Sequence, residues 1–99
     1  METKIQALHF GATEQLQAFI QKKCAKLEKV YDQIQTVDVV LKVVKPETAM
    51  NKQACITVKT ANGEFYADKT CDTFEQAVDD SLVALTKQVQ KMKEKLRDI

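Results

Sequence analysis

Few residues in this sequence could carry covalent or acid–base chemistry, and their spacing does not gather them. Three cysteines, Cys24, Cys55 and Cys71, include no C-x-x-C pair, and His9 is the single histidine. An odd number of thiols cannot pair completely, and one imidazole completes no zinc-ligand spacing. Free thiols in a reducing compartment are expected, with neither a metal site nor a disulfide framework. Ser81 is the only serine and lies in no nucleophile-elbow context. Gly11 and Gly63 are the only glycines, too few for a phosphate-cradling loop. Asp79 and Asp80 are adjacent and would splay about 100° apart on a helix, a poor geometry for a carboxylate dyad. His9, near a strand end, reads as a surface or packing residue. No catalytic residue and no cofactor site emerges, and an enzyme is not expected.

The chemistry that remains is that of ammonium groups. Lys22, Lys23, Lys26 and Lys29 are accompanied only by Glu28 between residues 22 and 30. On a helix Lys22, Lys26 and Lys29 form one stripe, with Lys23 one position round. A second segment divides sharply, with Asp72, Glu75, Asp79 and Asp80 at its start. At its end Lys87, Lys91, Lys93, Lys95 and Arg97 outnumber Glu94 and Asp98. Acids first and bases last complement a helix macrodipole, and exposed lysines keep proteins soluble. Two such helices side by side would also merge their stripes into a patch suited to phosphate backbones. Lys22, Lys23, Lys26, Lys29, Lys87, Lys91 and Lys93 are the candidate residues for contacting a phosphate backbone. Contacts made by lysine are non-directional and read backbone position and shape more than base identity. The pattern lacks interleaved aromatics, which argues against a stacking platform for single strands.

Periodicity supplies the elements that would hold these lysines. Residues 3–9 alternate as a short strand. Thr13 then caps a helix of about 17 residues whose apolar positions Leu16, Phe19, Ile20, Cys24, Leu27, Val30 and Tyr31 recur at steps of three and four. Residues 34–45 return to period two, with Val37, Val39, Leu41 and Val43 on one face, and Pro46 ends that strand. Residues 53–60 alternate again, and Asn62-Gly63 predicts a type I′ hairpin turn before a return strand over 64–70. Thr73 and Gln76 fit a reciprocal capping box for a last helix carrying Phe74, Val78, Leu82, Leu85, Val89, Met92 and Leu96. Its 24 residues would span about 36 Å against about 26 Å for an eight-residue strand, so its end should overhang the sheet. The order is β-α-β-β-β-α: an α+β two-layer sandwich with a four-stranded sheet and both helices on one face. A helix linking the first two strands calls for a parallel pair, and hairpins make the rest antiparallel.

The chain has 99 residues with 15 Lys and Arg against 14 Asp and Glu, a net charge of +1. That length suits one domain with its own core. No apolar run approaches the ~18 residues of a membrane span, and the start lacks the pattern of a signal peptide. A cytoplasmic protein without membrane or small-molecule partners is expected.

The sequence also resembles the short hibernation-promoting factors and ribosome-associated inhibitors of bacteria, known too as sigma-54 modulation proteins. The resemblance covers nearly the whole chain. It rests on Ala25-Lys26-Leu27-Glu28-Lys29, Val39-Val40-Leu41-Lys42-Val43, Asn62-Gly63-Glu64, Ala77-Val78-Asp79 through Leu85, Lys87-Gln88-Val89, and Lys91 to Lys93-Glu94-Lys95-Leu96. It implies the same β-α-β-β-β-α fold, similar to double-stranded-RNA-binding domains. It implies a factor docking on the small ribosomal subunit, mainly on ribosomal RNA backbone, in the channel used by messenger and transfer RNA. Occupying the decoding region would inhibit translation in stationary phase or stress. The family's basic contacts match Lys23, Lys26, Lys29, Lys87 and Lys91. Two departures stand out. Ala84 replaces the family's usual lysine, a contact that Lys93 could take over. The family's Asp-Met-Tyr-Ala-Ala run is Thr73-Phe74-Glu75-Gln76-Ala77 here. The second domain that long members use to dimerise ribosomes does not follow, so a single ribosome-binding domain over 1–99, monomeric, is expected. The competing reading is a protein-interaction adaptor using the open sheet face, where Val40, Val44, Cys55, Thr57 and Tyr66 would lie.

Overall fold

Both helices start where a threonine hydroxyl can satisfy an amide that has no partner within the helix. The Thr13 hydroxyl accepts the Leu16 N–H at 3.1 Å, and α1 runs over Glu14–Val30. The Thr73 hydroxyl accepts the Gln76 N–H at 3.1 Å, and α2 runs over Phe74–Arg97. The computed structural model describes residues 1–8, 11–44 and 50–97, the last two of these by backbone alone. The expectations for His9 and for Pro46 as a strand end fall outside those residues.

Between and before the helices lie β1 (Glu2–Ala7), β2 (Ile34–Val43), β3 (Lys52–Thr60) and β4 (Gly63–Cys71). They form one sheet in the order β1-β2-β3-β4. β1 is parallel to β2, and the two following pairs are antiparallel. Register aligns the apolar faces: Val39 sits opposite both Ile5 and Ile56, and Ile56 opposite Ala67. Because alternate residues share a face, Val37, Val39, Leu41, Ala54, Ile56 and Val58 all point to one side and are fully enclosed there. Ile20, Cys24 and Leu27 of α1 and Val78, Leu85 and Val89 of α2 close the same core. α1 lies over β1 and β2, and α2 over β3 and β4. The expected two-layer α+β sandwich is the fold that forms. Among the described side chains, the core positions nearest the end of α2 are buried Val89 and half-buried Met92.

Two local expectations are corrected. Thr60 pairs directly with Gly63, so the two turn residues are Ala61 and Asn62 rather than Asn62 and Gly63. Gly63 has φ +148° and Asn62 is not at positive φ, so the turn is not type I′. Side chains explain the shift. The Thr60 hydroxyl accepts the Asn62 N–H at 3.1 Å and donates to the Gly63 carbonyl at 2.9 Å. The Asn62 amide donates to the Tyr31 hydroxyl at the end of α1, which fixes the residue in place. The capping box is also half made. The Gln76 side chain donates to Asp80 one turn onward at 2.8 Å rather than reaching back to residue 73. The charge on the Asp80 carboxylate strengthens this bond, which holds the side chain along the helix and away from the cap.

A methyl group added at Gly63 would meet nothing within 4 Å, so only the backbone resists it. Gly63→Ala is expected to destabilise the protein by about 1–3 kcal/mol, the cost of a side chain in the left-handed region. Urea unfolding should show a lower midpoint with unchanged slope.

Candidate nucleic-acid interface

The apolar stripe of α1 faces the sheet, so its opposite side faces solvent. Lys22 and Lys29 lie almost opposite Ile20, Cys24 and Leu27, and Lys26 leans from there toward α2. On α2, Lys87 lies opposite the buried Leu85 and Val89 stripe, and Lys91 follows one turn later on the same face. All five side chains are exposed. No described carboxylate lies within ion-pair distance of any of them. Lys26 and Lys87 border one groove between the helices, about 410 Å³ in volume, with Leu27, Val30, Leu82 and Val83 among its lining. The structure therefore brings the outer lysines of both helices to one side of the molecule.

Most of the nearby acids are engaged elsewhere. Asp79 pairs with Lys23 at 3.5 Å across the interhelical seam. Asp80 accepts from Gln76 and, at 3.6 Å, from the Cys71 thiol. Asp72 accepts the Met50 N–H at 2.9 Å. Glu28 turns to the Met1 α-amino group at 3.3 Å. Glu94 stays exposed near the end of α2. A chain of nearly zero net charge thus keeps a largely cationic helical face.

Two candidate lysines have partners inside the fold. Besides pairing with Asp79, Lys23 places its ammonium 5.5 Å from the Phe19 ring centroid. Lys93 is half-buried, and its ammonium donates to the Val30 carbonyl at the C-terminal end of α1. A cation there satisfies a carbonyl left open by the helix end and suits the local dipole. Lys93 is therefore turned toward α1 and does not stand beside Ala84. The lysine beside Ala84 is Lys69 of β4, which shares a shallow depression with Ala84 and Lys87. Sequence reasoning passed over Lys69 because it looked for basic residues on helices. The available signal was its parity: residue 69 has the same phase as Phe65, Ala67 and Cys71, so it faces the helix side of an edge strand.

Three other chemically capable groups, Ser81, Cys24 and Cys71, are buried. Ser81 is fully buried, with its hydroxyl turned toward the Ala54 carbonyl at 3.5 Å. Burial pushes the Cys24 thiol up to about 11, and burial together with Asp80 raises that of Cys71. Both are held as thiols at neutral pH. The open sheet face carries Val40 beside Cys55 and Thr57 beside Tyr66, as expected. It is interrupted by the Asp38–Lys59 pair at 3.8 Å and by Asp68, which accepts the Tyr66 hydroxyl at 2.9 Å. Hydrogen bonding with Cys55 and then with Asp68 holds the Tyr66 hydroxyl above its ordinary value.

Comparison with known proteins gives a consistent result. The profile of the family described as sigma 54 modulation protein / S30EA ribosomal protein matches residues 3–97. A ribosome hibernation promoting factor from Escherichia coli strain K12 is 33% identical over 97 residues, covering 98% of this chain and 98% of its own length. Another from Pseudomonas putida is 27% identical over 99 residues, covering 100% of this chain and 93% of its own. A ribosomal subunit interface protein from Coxiella burnetii superposes with a TM-score of 0.84 at 19% identity, over 95% of this chain and 99% of that one. The N-terminal domain of Thermus thermophilus Protein Y gives 0.77 at 21% identity, over 90% and 94%. These two structures share the fold.

If Lys93 ties the helices together, its loss should register in stability. Lys93→Met keeps the apolar stem and removes the donor, and is expected to cost about 1–2 kcal/mol in urea unfolding. An unchanged midpoint would mean that the bond to Val30 contributes nothing.

Proposed function

We infer the function from one premise: the chain belongs to the sigma 54 modulation protein / S30EA ribosomal protein family. We propose that it is a ribosome hibernation factor. It binds the small ribosomal subunit through ribosomal RNA backbone, in the channel for messenger and transfer RNA near the decoding centre. By filling that channel it inhibits translation in stationary phase or stress. The observation that carries this reading is the exposed set Lys22, Lys26 and Lys29 on one helix beside Lys87 and Lys91 on the next, without described carboxylate partners. Folded RNA offers phosphates at spacings set by its helical geometry, and proteins recognise it largely by that shape. Two rigid rods with ammonium groups along their outer sides suit such a target. Lys69 extends the cationic face at its β4 edge and offers a charge beside Ala84. Lys23 and Lys93 act mainly by holding the rods in place.

Reversing charge on both rods tests the reading. The double variant Lys26→Glu, Lys91→Glu is expected to lose co-sedimentation with small subunits while keeping its far-ultraviolet circular dichroism and its melting transition. A folded double variant that still pellets with ribosomes contradicts the proposal. Competition by bound messenger and transfer RNA should prevent wild-type binding, which locates the site.

Salt dependence gives a second check. Each phosphate contact releases counterions, so the logarithm of the affinity should fall linearly with the logarithm of salt concentration. Lys87→Ala or Lys29→Ala should each lower that slope by about one. A slope near zero in the wild type would remove phosphate contact as the basis of binding.

A further inference from the structure

We propose that the groove between the two helices receives a single unpaired nucleotide of the bound RNA. This inference rests on the function proposed above and names the feature of the RNA that the same face would select. Lysines along two helices explain attraction to phosphates, but not why an apolar channel runs between them. Val83 is 51% exposed on the solvent side of the helical layer. It lies in the groove with Leu82 of its own helix and Leu27 and Val30 of α1. The volume of about 410 Å³ lies within the ~300–1,000 Å³ typical of sites that enclose small molecules.

The occupant follows from complementarity. Lys26 and Lys87 stand at the groove without described carboxylate partners, so the groove favours a ligand whose attached group is anionic. Its apolar lining calls for a flat apolar body on that ligand. Gln90 adds an amide that can meet polar edges, while Asp79, also in the lining, is paired with Lys23. An unstacked nucleotide combines these features: a base with two apolar faces, a hydrogen-bonding edge and phosphates on either side. A continuous duplex keeps its bases stacked and paired, and presents only backbone to such a channel. The lining contains no aromatic ring, so the base is held between aliphatic side chains and lysine stems rather than stacked on a platform.

The test uses the full chain and two RNA hairpins that share one stem, one uninterrupted and one with a single bulged adenosine. Affinities are read by fluorescence anisotropy at low salt, beside ribosome co-sedimentation. The bulged hairpin is expected to bind roughly fivefold more tightly, the scale set by a few tens of Å² of apolar surface leaving water. Val83→Gln, an exposed change to a good helix former, is expected to bring the two affinities within about twofold of each other. Equal wild-type affinities for the two hairpins, or an undiminished preference in Val83→Gln, would overturn the inference. If equal affinities accompany normal co-sedimentation, the groove inference alone fails. If the wild type neither pellets with ribosomes nor binds either hairpin, the functional reading fails with it.

Discussion

The whole arrangement follows from two apolar helical stripes that must be buried on one side of one sheet. Four strands spaced about 4.8 Å apart give a platform roughly 19 Å wide, and neighbouring helices need about 8–10 Å each. The platform therefore holds two helices side by side and no more. Ile20, Cys24 and Leu27 on one and Val78, Leu85 and Val89 on the other fix the rotation of each rod, because turning either would expose these fully enclosed side chains. Burying one such side chain contributes about 1.5–3 kcal/mol, several times the worth of a surface ion pair. Core packing thus decides which lysines face outward, and electrostatics has little say in it.

Electrostatics acts afterward, by removing acids from the outer face. The Lys23–Asp79 pair is partly exposed on both sides and adds little stability. Its more important effect is to fold a carboxylate into the seam between the helices. Asp72 and Asp80 are likewise drawn to backbone or side-chain donors near the start of α2. Charges that balance almost completely in the sum are separated in space, and a phosphate-bearing partner responds to the local arrangement within about 8 Å at physiological salt.

Much of this was legible in the sequence because periodicity encodes faces. Alternation in 34–43 and 52–60 and the three-and-four spacing of both helices fixed which residues lie inward, and with them the outward set Lys22, Lys26, Lys29, Lys87 and Lys91. What was not legible depends on partners distant in sequence. Asn62 was read as a turn residue from its neighbour Gly63, but its amide bonds Tyr31, thirty-one positions earlier. Lys93 looked like one more base in a basic run, yet its partner is a backbone carbonyl at Val30. Lys69 joins Lys87 only once β4 is laid beside α2. Local pattern sets the phase of an element, whereas a side chain's hydrogen bond is chosen among whatever the tertiary fold brings near.

The same constraint bears on specificity. An ammonium group attracts any phosphate, and a ribosome offers phosphates everywhere, so lysines alone cannot select one channel. Under the proposed function, selection must come from the fixed distance between the two cationic rods and from the shape of the groove that separates them. That distance is held by the shared core and by Lys93 at the end of α1. Loosening the seam would leave every outward lysine in place and still blur the match, because flexible charges follow many RNA surfaces equally well. Contacts that look purely structural, far from any phosphate, are therefore part of how the face discriminates.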